Sequence, residues 1–256
     1  MPFKIIICII AGIGAGLGTG FAGMSAAAVI SPMLITFLDM DSYLAVGIAL
    51  ASDVLASAVS AYTYGKNKNL DICNGLIMMF SVLCFTLVGS YVASIVPKTT
   101  MGSFSVFMTL LLGIKFIVKP VVAPKARLQN ATAKQKAIRS VICGSMVGFI
   151  CGFIGAGGGM MMLLVLTTVL GYELKTAVGT SVFIMAATAL TGSVSHFAIG
   201  GAPDPVALIT CVSSTLVFAL IAALIANKVS AKTLNRATGV VLVVLGAAII
   251  IVNRIK

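Results

Sequence analysis

The chain has 256 residues, 60% of them hydrophobic and only 9% charged, with a formal net charge of +11. A soluble domain carries about 25% charged residues, and no water-soluble fold covers this much apolar surface, so soluble enzymes and soluble binding modules are excluded. The basic residues are spread among the loops between apolar blocks, which is the pattern that orients a membrane protein against the cytoplasm and not that of a nucleic-acid surface.

The first block covers residues 5–38, which hold no charge over 34 positions. Lys4 ahead of an apolar run has the look of a signal peptide. The run, however, continues past the 7–15 residues of a typical signal core, and its counterpart recurs later, so it is expected to be retained structure. Further apolar blocks fall at roughly 43–64, 72–96 and 101–118, then 140–170, 176–199, 205–226 and 237–252. About 20 apolar residues cross a bilayer, so these blocks predict an all-α polytopic membrane protein. The substantial polar stretch, 119–139, holds Lys119, Lys125, Arg127, Lys134, Lys136 and Arg139. It divides the chain into a first transmembrane repeat (1–118), a basic cytoplasmic linker (119–139) and a second repeat (140–256).

The two halves match at an offset of 132 residues. Gly20-Phe21-Ala22-Gly23 falls on Gly152-Phe153-Ile154-Gly155, and Ala45-Val46-Gly47 on Ala177-Val178-Gly179, while Asp41 faces Glu173. Coincident glycines, acidic loop positions and block order predict an internal repeat. The first block of each half is too long for one span: 33 residues make a helix of about 50 Å against a hydrocarbon core of about 30 Å. A glycine costs about 1 kcal/mol relative to alanine inside a helix, and GFIGAGGGMMM (152–162) has five glycines within eight residues. A break is expected there, as a re-entrant hairpin or two short spans. Freed backbone at membrane depth lines a wet cavity or is buried in protein, and paired glycine-interrupted segments point to a transporter's binding site. For the sparser series Gly12, Gly14, Gly16 and Gly18, close helix packing is the competing explanation.

Broken first blocks give each half an odd number of crossings, so the repeats are expected to be inverted. The charge pattern barely separates this from eight simple spans, and inversion rests on the glycine break. On the inverted reading, the loops at 66–68, 175 and 228–236 share the linker's side and the loop at 200–204 lies opposite.

Chemistry-bearing motifs are scarce. GTGFAG (18–23) fits a dinucleotide fingerprint, but the segment behind it has neither charge nor polar helical face, so no βαβ unit can be drawn. No HExxH, P-loop or paired carboxylates occur, no nucleophile sits beside a base, and no cofactor is expected. The six cysteines stand singly in apolar runs without a CxxC pair, as small buried residues do. With six acids in the chain, a site rich in backbone N–H groups but short of carboxylates suits an anion. Asp53 is the acid placed well inside a span. Ionisation there is costly, which makes it a candidate for a coupling proton or cation, or a structural partner of Lys115. His196, near a block end, reads as an interfacial residue. Thr180 and Ser181, in AVGTSVF (177–183), are placed to donate hydrogen bonds to an oxyanion.

The pair GFxGxGGG (Gly152 to Gly159) and AVGTS (Ala177 to Ser181) resembles the sulfite exporter TauE/SafE family, also called the toluene-sulfonate uptake permeases. The resemblance runs along essentially the whole chain. The first half keeps Gly20-Phe21-Ala22-Gly23, Pro32 and Ala45-Val46-Gly47, but Met24-Ser25-Ala26-Ala27 replaces the glycine triplet and Ile48-Ala49 replaces Thr-Ser. The family resemblance implies transport of sulfite, organosulfonates or related sulfur anions across the cytoplasmic membrane, coupled to an ion gradient. The better-preserved half of the expected anion site is Gly155, Gly157, Gly158, Gly159, Gly179, Thr180 and Ser181. Gly20, Gly23, Ser25 and Gly47 are expected to face it across a pseudo-twofold axis. The expected partners are the small anion, the lipid bilayer and a coupling ion, with self-association left open. Two rivals stand: a passive channel, and a sulfur-relay protein using Cys151.

Overall fold

The computed structural model describes residues 2–95, 132–154 and 158–230, with scattered helical positions among 110–118 and 232–251. Among these residues the chain is all-helical. The elements are α1 (Pro2–Ala22), α2 (Ala27–Leu38), α3 (Ser42–Lys66), α4 (Ile72–Ile95), α5 (Ala133–Ile154), α6 (Gly158–Thr168), α7 (Leu174–Gly200) and α8 (Pro205–Lys228). Five of them, α1, α3, α4, α7 and α8, contain stretches long and apolar enough to span a membrane. Their outward faces carry large apolar side chains such as Phe3, Ile10, Tyr62, Phe80 and Ile209, as contact with lipid tails allows.

The first long block is broken where its glycines fall, while in the second the expected break at 155–157 lies outside the described residues, between two separate helices. In the first, α1 stops at Ala22 and α2 starts at Ala27. Gly23 takes φ +60°, a conformation that costs glycine nothing and other residues 1–2 kcal/mol or so. Thr19 closes the bend twice: its carbonyl accepts from Gly23 N at 2.9 Å, and its hydroxyl donates to the Met24 carbonyl at 2.9 Å. In the second block, α5 ends at Ile154 and α6 starts at Gly158. Two short helices follow the breaks, 12 residues in α2 and 11 in α6, each reaching about 16–18 Å, roughly half the hydrocarbon core.

Contacts between helix ends fix which ends lie together. The start of α1 meets the start of α8 through the Lys4–Asp204 ion pair. The start of α3 meets the last turns of α7, where Tyr43 stacks on His196 with centroids 4.4 Å apart. Since α2 runs into α3 through 39–41, the α1–α2 hairpin begins and ends at this one end of the bundle. At the opposite end, Tyr172, between α6 and α7, hydrogen-bonds Asp71 at the start of α4, and Lys136 near the start of α5 acts electrostatically on the same carboxylate. The α5–α6 hairpin therefore begins and ends at the second end. Lys66, Lys68, Lys175 and Lys228 share that end, and 201–204 lies at the first.

Small residues let these helices approach. Gly12, Gly16 and Gly20 of α1 pack on Ser214, Thr215, Ala219 and Ala222 of α8, and a Cβ at Gly20 would lie 2.5 Å from the Ala219 carbonyl oxygen. For Gly12 and Gly16 of the sparse series the role is thus close helix packing, whereas Gly18 faces Met24 of the first break. The second half repeats the device, with Gly144 and Gly148 of α5 against Met78, Ser81 and Val82 of α4. One boundary departs from the sequence pattern. Helix α5 begins at Ala133, inside the basic stretch, because Thr132 and Gln135 cap it reciprocally: Gln135 N donates to Thr132 Oγ1 and Thr132 N to Gln135 Oε1. This T-x-x-Q box is readable in sequence; apolar blocks mark the membrane and not the helix.

Candidate functional site

The first helix break meets the first turn of α6. Gly159, in the first turn of α6, lies so close to the first tip that a Cβ there would be 2.8 Å from Ser25 N and closer still to the Gly23 carbonyl oxygen. Ser181 on α7 joins the tips: its buried hydroxyl lies 3.3 Å from the Gly23 carbonyl and 3.3 Å from the Gly159 carbonyl, and 3.7 Å from Met185 Sδ. One hydroxyl proton serves only one of these acceptors at a time. Gly23, Ser25, Gly159 and Ser181, all expected at the site, are therefore brought into direct contact around the two tips.

Asp53 belongs to the same neighbourhood. It is 1% exposed and lies near the middle of α3. Ser25 Oγ donates to one carboxylate oxygen at 2.8 Å and Ser57 Oγ to the other at 2.9 Å, while the Ala26 N–H at the start of α2 also points to it. Ser25 in turn accepts from Ala27 N at 3.3 Å. Among the described residues no basic side chain forms an ion pair with Asp53; the ion pair found is Lys4–Asp204. Lys115 lies outside the described residues. The other five acids sit at helix ends: Asp41, Asp71 and Asp204 bond the first-turn N–H groups of α3, α4 and α8, Glu173 precedes α7, and Asp39 ends α2.

The remaining candidates are placed elsewhere or lie outside the described residues. Gly155 and Gly157 are outside. Gly158 packs against the Cys151 thiol, since a Cβ there would collide with Cys151 Sγ. Thr180 turns away from the tips: its hydroxyl accepts from Asp71 N at 3.1 Å and its methyl packs near Gly75. Gly179 lies against the Asn69 carbonyl and Tyr64, and Gly47 against Phe197 and His196. Gly20 packs on α8, and its carbonyl accepts from the buried Tyr64 hydroxyl at 2.9 Å. These glycines permit close helix approach one layer away from the tips.

Sequence reasoning missed a polar latch at the basic end of the bundle. The Asp71 carboxylate accepts from Asn74 N at 3.1 Å, Asn74 Nδ2 at 2.7 Å and Tyr172 Oη at 2.7 Å. Nearby, Asn69 Nδ2 donates to Asn227 Oδ1 at 2.9 Å and Lys175 Nζ to the Asn227 carbonyl at 2.7 Å. Burial alone would raise the Asp71 pKa, but the Asn74 and Tyr172 hydrogen bonds and the Lys136 charge outweigh it and hold it below the usual carboxylate range. A depressed acid stabilises the folded state above its unfolded pKa and loses that contribution as pH falls through the folded value. The latch is therefore intact at neutral pH and weakens only in acid. The partners are 101 residues apart in sequence, and no local pattern joins them.

The model of the family described as "Sulfite exporter TauE/SafE" matches residues 8–249. The chain belongs to the sulfite exporter TauE/SafE family. Among curated relatives, the probable membrane transporter protein YunE of Bacillus subtilis (strain 168) is 26% identical over 267 residues, covering 96% of this chain and 97% of that protein. The probable membrane transporter proteins YdhB of the same organism, at 22% identity, and MJ0441 of Methanocaldococcus jannaschii, at 26%, each cover 83% of this chain. This TauE/SafE protein is thus a multi-pass membrane transporter and not an enzyme. Among the described residues, hydroxyls, backbone carbonyls and one buried carboxylate gather where Gly159 meets the first break.

Proposed function

We propose that this TauE/SafE transporter is a secondary carrier of a small anion, of the class of sulfite, organosulfonates or related sulfur oxyanions, moved across the cytoplasmic membrane with an ion gradient. The observation that carries the proposal is the meeting of the first helix break with the first turn of α6, at Gly23, Ser25, Gly159 and Ser181, beside the buried Asp53. Freed backbone groups at the ends of half-helices hold ions in transporters built this way. The tips touch in this conformation, so the proposed cycle includes their separation, with the anion entering beside Gly158 and Gly159. Gly155 and Gly157, outside the described residues, are proposed to belong to the same anion site. The approach of Gly20, Gly47 and Gly179 to neighbouring helices supports a scaffolding share in the site, as does the Thr180 bond to α4.

We read the two halves as inverted repeats. The two hairpins return to opposite ends of the bundle. Contacts are also exchanged in pairs: Gly47 lies on His196 and Gly179 on Tyr64, and both pairs are related by the offset of 132 residues. Such reciprocal contacts are what a twofold axis imposes. The end holding Lys66, Lys68, Lys136, Arg139, Lys175 and Lys228 is assigned to the cytoplasm by the excess of positive charge, and the linker with it. Cys151 packed on Gly158 favours a structural thiol over a sulfur relay.

Uptake into proteoliposomes, with a panel of sulfur and carbon oxyanions under imposed proton and sodium gradients, tests the reading. Saturable, gradient-driven accumulation of a sulfur oxyanion is expected. Electrogenic flux that never saturates would make the protein a channel, and absence of flux for every sulfur oxyanion would remove the substrate class.

A further inference from the structure

The surroundings of Asp53 are those of an oxyanion site already filled. Two hydroxyls and one backbone N–H converge on its two oxygens: Ser25 Oγ at 2.8 Å, Ser57 Oγ at 2.9 Å and the Ala26 N–H. No cation among the described residues neutralises it within 4.0 Å. The carboxylate comes from α3, whereas Ser25 and Ala26 belong to the first tip. It is therefore an anion brought to the start of α2 from another element, at a distance of 28 residues in sequence. In the second half the position 132 residues later is Met185, which brings sulfur and no charge to the corresponding tip and touches Ser181. One tip holds an anion of its own and the other has none.

We propose that the pocket formed by Ser25, Ser57 and Ala26 N–H is a second station for small oxyanions, in which the Asp53 carboxylate is a tethered occupant. A free carboxylate or sulfur oxyanion takes its place when the side chain is removed or leaves the pocket. Three neutral donors bind any compact group that presents two or more oxygens on one face, and a fixed positive side chain is not required. The inference rests on the anion reading for its meaning in transport, since vacating the pocket gives the substrate a path through the first half. The pocket itself stands on the geometry around Asp53.

Chemical rescue tests it with purified, full-length protein in detergent. Asp53→Gly and Asp53→Ala remove the occupant, and Asp53→Asn fills the space with a neutral amide. Thermal unfolding is followed with sodium formate or acetate, which are outside the proposed substrate class, against sodium chloride of equal ionic strength. The Gly and Ala variants should unfold below the parent and recover saturably with formate. At about a hundredfold excess over the dissociation constant, the rise is about 5–10 °C. The parent and Asp53→Asn should not respond. Should the Gly and Ala variants aggregate on extraction, recovery of monodisperse protein when formate is present throughout supports the pocket. Aggregation in formate, while Asp53→Asn extracts normally, overturns it. Equal responses of parent and variants, or none in the variants, also overturn it. A sodium-specific stabilisation of the parent would make Asp53 a cation ligand and overturn it as well. Rescue by formate together with absent sulfur-oxyanion uptake would keep the pocket and remove the substrate reading; uptake without rescue would do the reverse.

Discussion

The two helix pairs are joined at matching places in the sequence by different materials. The first uses a single left-handed glycine, Gly23, closed by Thr19 and followed by Met24, Ser25 and Ala26. It has an internal anion, Asp53, bonded to its start. The second is rich in glycine, and Gly159 stands where the first half has Ala27. Its counterpart of Asp53 is Met185. On the proposed reading this divergence divides the work: the first tip is satisfied by Asp53 of α3, and the glycine-rich second segment meets the ligand once the tips part.

The largest effect is expected from making the tips alike. Gly159→Ala gives the second tip the residue found at position 27, but the added Cβ meets backbone of the first tip, 2.8 Å from Ser25 N. Backbone cannot swing aside as a flexible side chain can, and overpacking of this kind costs about 1–3 kcal/mol. Transport should fall about fivefold or more, since each 1.4 kcal/mol is a factor of ten, while the protein still inserts. Initial uptake rates and detergent monodispersity measure this. Gly159→Ala with parental uptake and stability would show that the tips are free to part without cost.

Next comes removal of the charge that distinguishes the first tip. Asp53→Asn should abolish gradient-driven accumulation and leave downhill exchange measurable. An ionised Asp53 and a bound anion about 8 Å apart repel by about 2 kcal/mol at an effective dielectric constant of 20, or roughly thirtyfold in affinity. Proton and anion should therefore bind together. In the parent, anion affinity rises as pH falls; in Asp53→Asn it is high and flat with pH. Isothermal titration between pH 5 and 8, roughly the range over which native proteins are most stable, decides it. A pH dependence unchanged by the mutation would assign coupling elsewhere.

A smaller effect separates the two neighbouring glycines of the second tip. A Cβ at Gly158 meets the end of one side chain, Cys151 Sγ. Gly158→Ala should lower the unfolding temperature, and Cys151→Ala in the same chain should restore it. Failure of the double variant to recover would place the constraint at Gly158 in its backbone, as at Gly159. Full transport by Cys151→Ala alone would end the sulfur-relay idea.

The contrast between tips also explains what could be read from sequence. Glycine spacing and block length marked the first break and the division of the second block into two helices, because the cost of glycine in a helix and the thickness of a bilayer are local constraints. The lone acid within a span announced Asp53. Its partners did not show, because helices that are apolar on every side have no periodicity to reveal which face meets which neighbour. Ser25 and Asp53 are brought together by folding alone. Asp71 and Tyr172 lie in different halves, and Thr180, one residue from Ser181, points to another helix entirely.

Thr180 gives the smallest and most selective prediction. Its counterpart in the first half is Ile48, a buried apolar residue, so the first half manages without a hydroxyl there. In the second half the hydroxyl accepts from Asp71 N at 3.1 Å while the methyl packs near Gly75. Thr180→Val keeps the shape and removes one neutral hydrogen bond, a loss of about 1 kcal/mol. In a protein of this size that lowers the unfolding temperature by about 2–4 °C. Anion affinity should stay within twofold or so of the parent, because the hydroxyl faces α4 and not the tips. Ser181→Ala, one residue on, should lower the unfolding temperature by a similar amount and, unlike Thr180→Val, weaken the anion several-fold. Equal losses of affinity in both variants would return Thr180 to the binding site and mean that α7 rotates between this conformation and the one that binds.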